Sequence, residues 1–187
     1  MQRASEETRK YAEAIELLNE ALRETADARL FFSRAKTFDL LDQREKAVAD
    51  LTWAISLDKT NPRYYFERAS ILSYPLDKND EAIHDFERVL EWEPNNVEAH
   101  RQCCLCLLVM GRPNRGLEHA EAALKLAPED ALTHFCLGEA YMSLKRFDEA
   151  AASLKRAVEL DATPEQYSSA LNRALKNSGD INTGSTG

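Results

Sequence analysis

One pattern of residue sizes recurs along this chain at a spacing close to 34 residues. In one column the small residues Ala35, Ala69, Cys104 and Gly138 follow one another at steps of 34, 35 and 34. A second column holds Ala14, Ala47, Ala82, Gly116 and Ala150, and a third holds Leu22, Ile55, Leu90, Leu124 and Val158. Both run at steps of 33, 35, 34 and 34. A period of this length accommodates two short helices, and such pairs stack because one pair alone cannot bury its apolar face. Each unit then touches only its neighbours, so the array offers an extended surface and no closed pocket.

Four complete units are predicted, at 28–61, 62–96, 97–130 and 131–163. Their first helices carry Phe31, Arg34, Ala35 and Phe38, then Tyr65, Arg68, Ala69 and Leu72, then His100, Cys103, Cys104 and Leu107, then His134, Leu137, Gly138 and Tyr141. The second helices carry Ala47, Leu51, Ala54 and Ile55 and their equivalents. Spacings of three and four place each set on one helical face. The small residues let neighbouring helices approach to about 8–10 Å. Asn61 before Pro62, Asn96 and Asp130 stand where a helix start needs a capping side chain.

The fourth unit is the most telling. Its runs Leu137-Gly138-Glu139-Ala140-Tyr141, Phe147-Asp148-Glu149-Ala150-Ala151 and Ala157-Val158-Glu159-Leu160-Asp161 closely resemble the tetratricopeptide repeat (TPR). Asp80-Glu81-Ala82-Ile83 echoes the start of that family's second helix. Leu57-Asp58-Lys59-Thr60-Asn61-Pro62 and Trp92-Glu93-Pro94-Asn95-Asn96 echo its inter-repeat turns. The resemblance covers roughly 10–164. It departs at Gly116, at Cys103-Cys104 and at one extra residue around Tyr74-Pro75-Leu76. It implies an all-α fold, a right-handed α-solenoid of stacked antiparallel helix pairs, acting as a protein-binding adaptor or scaffold.

Both ends differ from the repeats. In 1–27, Tyr11, Ala14, Ile15, Leu18, Ala21 and Leu22 match a second helix with no room for a full partner helix before it. Either it caps the array or Met1 lies inside a longer one. The alternative function is accordingly an assembly segment that oligomerises through this open end. At the other end, Thr163-Pro164-Glu165-Gln166 reads as a capping box. It opens a one-sided helix, 164–177, that covers the last unit with Tyr167, Ala170, Leu171, Ala174 and Leu175. A disordered tail is expected over 178–187.

In the family, first helices line the concave face. Carried over by position, the groove residues are Arg29, Phe32 and Lys36, then Arg63, Phe66 and Ser70, then Arg101 and Leu105, then Phe135 and Glu139. The column Phe32, Phe66, Arg101, Phe135 combines aromatics and arginine, the types enriched at binding hot spots. It predicts a peptide or partner segment with apolar anchors and some acidic residues. Members that clamp the C-terminal carboxylate of chaperones use a basic and Asn-rich set. The matching positions here hold Phe32, Lys36, Glu67, Glu98 and Gln102, so that ligand is disfavoured.

Charge narrows the partners further. Lys and Arg number 24 against 32 Asp and Glu, a net charge of −8, and no basic cluster longer than two residues offers phosphate a stripe. Nucleic acid is not an expected partner. Neither is a membrane, since no apolar run is long enough to span one. The N-terminus lacks an apolar signal core, which reads as cytoplasmic. Cys103, Cys104 and Cys106 crowd one helix at spacings that point them apart, and with Cys136 they read as small apolar fillers. No metal or cofactor is expected. His100 and His134 share the column of Phe31 and Tyr65 and read as packing residues, while His84 and His119 read as surface. With no phosphate loop and no nucleophile–base pair, no catalytic residue is assigned and the chain is read as a non-enzyme.

Overall fold

Helices begin at residues 28, 62, 97, 131 and 165, each one period after the last. This computed structural model describes the backbone of residues 2–74 and 76–183 and the side chains of 6–74 and 76–179. Among the described residues the regular structure is entirely helical, in two compact units, 1–92 and 93–187. The first unit holds α1 (Gln2–Glu24), α2 (Ala28–Leu40), α3 (Arg44–Leu57), α4 (Pro62–Ser73) and α5 (Asn79–Trp92). The second holds α6 (Val97–Val109), α7 (Pro113–Leu126), α8 (Ala131–Ser143), α9 (Phe147–Leu160) and α10 (Glu165–Thr183). Within each unit, helices adjacent in sequence pack on one another.

Cap chemistry sets the helix starts. Asp27, Asn61, Asn96 and Asp130 accept backbone N–H bonds from Arg29, Arg63, Ala99 and Thr133, satisfying donors that a helix start leaves unpaired. Thr163 does not join them. Its hydroxyl and N–H go to Asp161, and Tyr167 N–H bonds the Pro164 carbonyl instead, so no capping box forms. The turns inside repeats are closed by Gln43, Arg112 and Arg146 N–H groups bonding the carbonyls of Phe38, Leu107 and Tyr141, five residues back. The second repeat spans six, from Lys78 to Leu72, and its first helix stops at Ser73, one residue shorter than α2, α6 and α8. Each such turn passes through one left-handed residue, Asp42, Asp77, Gly111 or Lys145, where only the glycine is unstrained.

A second recurring bond ties the turns between repeats. The Tyr65 hydroxyl donates to the Lys59 carbonyl at 3.1 Å. His100 and His134 reach Pro94 and Pro128 with Nε2 at 3.1 and 2.9 Å. A carbonyl only accepts, so both histidines carry their proton on Nε2. All three bonds reach six residues back, which is why this column tolerates Tyr and His alike.

In the core, Ala35, Ala47, Leu51 and Ile71 cluster in the first unit, and Cys104, Ala120, Cys136, Leu137 and Ala140 in the second. The first unit also buries charge. Arg34 grips Asp50 with two bonds of 2.7 Å and reaches Asn19 on α1, while Arg68 grips Asp85 at 2.7 and 2.8 Å and reaches Thr52 on α3. One arginine thus joins both helices of its repeat to the helix before. The second unit fills the same columns with Cys103 opposite His119 and Leu137 opposite Ser153.

The expected end of the last helix is corrected. Helix α10 passes through Asn177, Ser178 and Gly179 and continues to Thr183, and the Ser178 hydroxyl bonds Asp148 on α9. The tail at 184–187 lies outside the described residues.

Candidate peptide-binding surface

Helices α2 and α4 present the first-unit half of the expected groove. Arg29 and Arg63 are exposed, and Phe32, Lys36, Phe66 and Ser70 are half-buried. The Phe32 ring lies 5.2 Å from Tyr64, and the Arg63 guanidinium sits 4.9 Å from the Phe32 centroid. Phe66 meets Phe86 edge-on at 5.5 Å. Lys36 pairs with Glu67 at 2.9 Å, and Arg29 with its cap Asp27 at 2.7 Å. The Arg29 contacts hold the Asp27 carboxyl low, at about 2. The Ser70 hydroxyl donates to the Phe66 carbonyl and is turned into its own helix. Arg63 is the cation of this face that rests on an aromatic ring with no carboxylate against it among the described residues.

The second unit carries Arg101, Leu105, Phe135 and Glu139 on α6 and α8, all half-buried. Arg101 lies between Glu98 and Asp130, and its Nε is buried with no partner among the described residues. Asp130 also caps α8 through the Thr133 N–H and hydroxyl, so Arg101 ties α6 to the start of α8. Leu105 packs against the Cys104 cluster. The Phe135 ring lies 4.9 Å from Tyr167 of α10, and Glu139 pairs with Arg173 at 2.9 Å. The phenylalanines therefore all touch a neighbouring helix, and each leaves part of its surface to solvent.

Of their ring partners, sequence reasoning placed Tyr167 on the helix that covers the last unit but not against Phe135, and did not single out Tyr64. Tyr64 and Tyr167 belong to one buried column with Ala99 and Thr133, at steps of 35, 34 and 34. The period was the signal that identifies them. Arg173 continues the groove column of Lys36, Ser70, Leu105 and Glu139 by the same period, so the same signal reaches it once α10 is set in register with the first helices.

Two stretches, 62–96 and 107–167, match models described as Tetratricopeptide repeat, and between them they cover just over half of the chain. The chain belongs to the tetratricopeptide-repeat family. The wheat (Triticum aestivum) Hsp70-Hsp90 organizing protein is 29% identical over 57% of this chain and 18% of its own length. The yeast (Saccharomyces cerevisiae) small glutamine-rich tetratricopeptide repeat-containing protein 2 is 26% identical over 72% of this chain and 39% of its own. The chain thus spans well under half of these relatives. Among solved structures, YrrB aligns with a TM-score of 0.79 at 17% identity, covering 90% of this chain and 87% of that one. MamA gives 0.76 at 21%, covering 84% and 92%. These likenesses show the fold, an all-α TPR solenoid.

TPR proteins are as a rule adaptors or scaffolds for other proteins, and not enzymes. No helix among the described residues is long and apolar enough to cross a membrane. All four cysteines are buried and outside any disulfide. Burial raises the Cys136 thiol to about 12 and pushes Cys104 up as well. Because the thiolate is the reactive form, a thiol-specific disulfide reagent at pH 8 should modify these two cysteines only as fast as the chain unfolds. Modification within seconds would contradict their burial. Folded pKa values above the unfolded value of about 8.5 leave this contribution intact below pH 8.5 and erode it as pH rises towards 12.

Proposed function

We propose that this chain is an adaptor that binds a peptide segment of a partner protein against its first-helix faces. Its division into four repeats, an N-terminal second helix and a C-terminal cap belongs to this reading, as does action in the cytoplasm, where unpaired buried thiols are at home. The observation that carries it is Arg63 lying on Phe32 beside Tyr64. An exposed guanidinium on an aromatic wall, with the nearby Lys36 already held by Glu67, suits a ligand carboxylate flanked by an apolar side chain. The YrrB structure is titled a TPR protein with an unusual peptide-binding site, which supports looking for a peptide here. The wheat relative's name points to chaperones. At the chaperone-clamp positions this chain has Lys36 paired with Glu67, and Glu98 bonded to Gln102, which does not favour an anionic chain terminus.

Selection from a displayed library of random peptides should enrich sequences with Asp or Glu beside aliphatic residues. Arg63→Glu should weaken their binding about tenfold or more, equivalent to about 1.4 kcal/mol, with the melting curve unchanged. Enriched peptides insensitive to Arg63→Glu would move the site elsewhere.

A second reading, an assembly segment acting through the α1 end, rests on a separate observation. Ala14, Leu18 and Ala21 are half-buried, whereas Ala47, Leu51 and Ala54 in the same columns are fully buried, and Leu17 is 68% exposed.

A further inference from the structure

Helices α3, α4 and α5 line a cavity of about 400 Å³ in the first unit, apart from the groove residues. The buried Leu72 and half-buried Val48 give it an apolar base, and the exposed Asp80, Glu81 and His84 stand around it. Arg68 and Asp85 also face it, already joined to each other by two bonds. One arginine thus stands against three carboxylates, and the space is acidic over an apolar floor. Lys78 approaches Glu81 only to 3.9 Å, with both side chains more than half exposed, a contact of little worth.

The second unit shows which chemical group such a place accepts. The turn bond from the Lys78 N–H to the Leu72 carbonyl corresponds to the bond from Arg146 to Tyr141. By the same period Asp80 and Glu81 correspond to Asp148 and Glu149, and Thr52 to Glu121. In that repeat a guanidinium lies among the corresponding side chains. Arg146 sits 4.5 Å from the Tyr141 ring centroid, bonds Glu149 at 2.8 Å and feels the charge of Glu121 on α7. In the first unit the shorter Leu72 replaces the ring and an ammonium replaces the guanidinium, while Glu81 keeps its carboxylate beside the cavity.

We infer that this cavity receives the arginine side chain of a partner protein, with its methylenes on Val48 and Leu72 and its guanidinium against Glu81. The aliphatic stem of arginine covers apolar surface while its charged head stays at the wet edge. A planar guanidinium takes a carboxylate with two parallel bonds, whereas a lysine ammonium is a more strongly hydrated point charge. The ligand charge is opposite to that expected at Arg63, so the two surfaces are separable by experiment.

Titration of the isotope-labelled full chain with acetyl-Gly-Arg-Gly-amide, followed by amide chemical shifts, tests the assignment. Amides of Val48, Thr52, Glu81 and His84 should move together, with a dissociation constant on the order of millimolar for a single side chain. Glu81→Gln, at an exposed position, should weaken binding about two- to fivefold, the worth of an exposed ion pair, with circular dichroism unchanged. The citrulline peptide, alike in shape but uncharged, should leave these amides still, and the lysine peptide should bind more weakly than the arginine one. No movement of these amides up to tens of millimolar peptide overturns the proposal. So do shifts confined to the Arg63 face, or shifts that are the same with Glu81→Gln or with citrulline. Equal binding of the lysine peptide overturns the assignment to arginine and leaves a general cation contact.

Discussion

Replacing Asp85 by alanine is expected to destabilise the protein by about 3–5 kcal/mol, because it leaves the Arg68 guanidinium in a largely buried site without its counter-charge. Asp85 is 1% exposed and receives two bonds from Arg68. The remaining Thr52 hydroxyl bond, at 3.1 Å, does not neutralise a cation. Against a total stability of about 5–15 kcal/mol, the loss is a large fraction, visible as a lower midpoint in urea. The double variant Arg68→Met with Asp85→Leu should recover most of it, since an apolar pair of similar volume removes both desolvation costs. A loss below about 1 kcal/mol for Asp85→Ala would show that water reaches the pair and screens it. Arg34 with Asp50 should behave alike, with Asn19 extending the effect into α1.

Two glycines with the same helical environment are expected to respond with opposite sign. A Cβ at Gly138 would lie 2.5 Å from Leu154 Cγ, and Leu154 is fully buried with nowhere to retreat. Gly138→Val should therefore cost about 1–3 kcal/mol through overpacking. At Gly116 the nearest atom is the Leu108 Cδ2 methyl at 3.0 Å, the end of a half-buried side chain that rotates away. There the helix-propensity gain of about 1 kcal/mol for alanine over glycine should dominate, and Gly116→Ala should be neutral or stabilising. Thermal melts of the two variants decide the matter: a Gly138→Val protein as stable as the parent would mean that α8 and α9 separate easily.

The helix pairs are legible in the sequence because small residues, apolar faces and caps repeat together. Asn61, Asn96 and Asp130 act on N–H groups two or three residues away, so sequence neighbours suffice to place them. Arg68 shows the limit. Its column was plain, yet its partner Asp85 is 17 residues distant on another helix, and nothing local marks the pair. The candidate surface divides in the same manner. Phe32, Phe66 and Phe135 were readable as a column, but their rings meet Tyr64, Phe86 and Tyr167, which only packing specifies. Arg101 was expected to face a ligand carboxylate and instead binds Glu98 and Asp130 of its own unit. Its replacement should thus perturb stability as well as binding.

Helix α10 carries the same lesson at the level of an element. Asn172 breaks the small-residue column, and the repeat pattern therefore ends before it in the sequence. Yet Tyr167, Ala170 and Ala174 seat it where a fifth first helix would lie. Period, helix class, caps and the family were decided by residue order, because those features depend on side chains within a turn or two of one another. Which charges are paired, which phenylalanine surfaces stay open and where the last helix docks were decided by tertiary contacts. Those contacts join residues 16 to 34 positions apart, where shape and distance between helices, and not local pattern, select the partner.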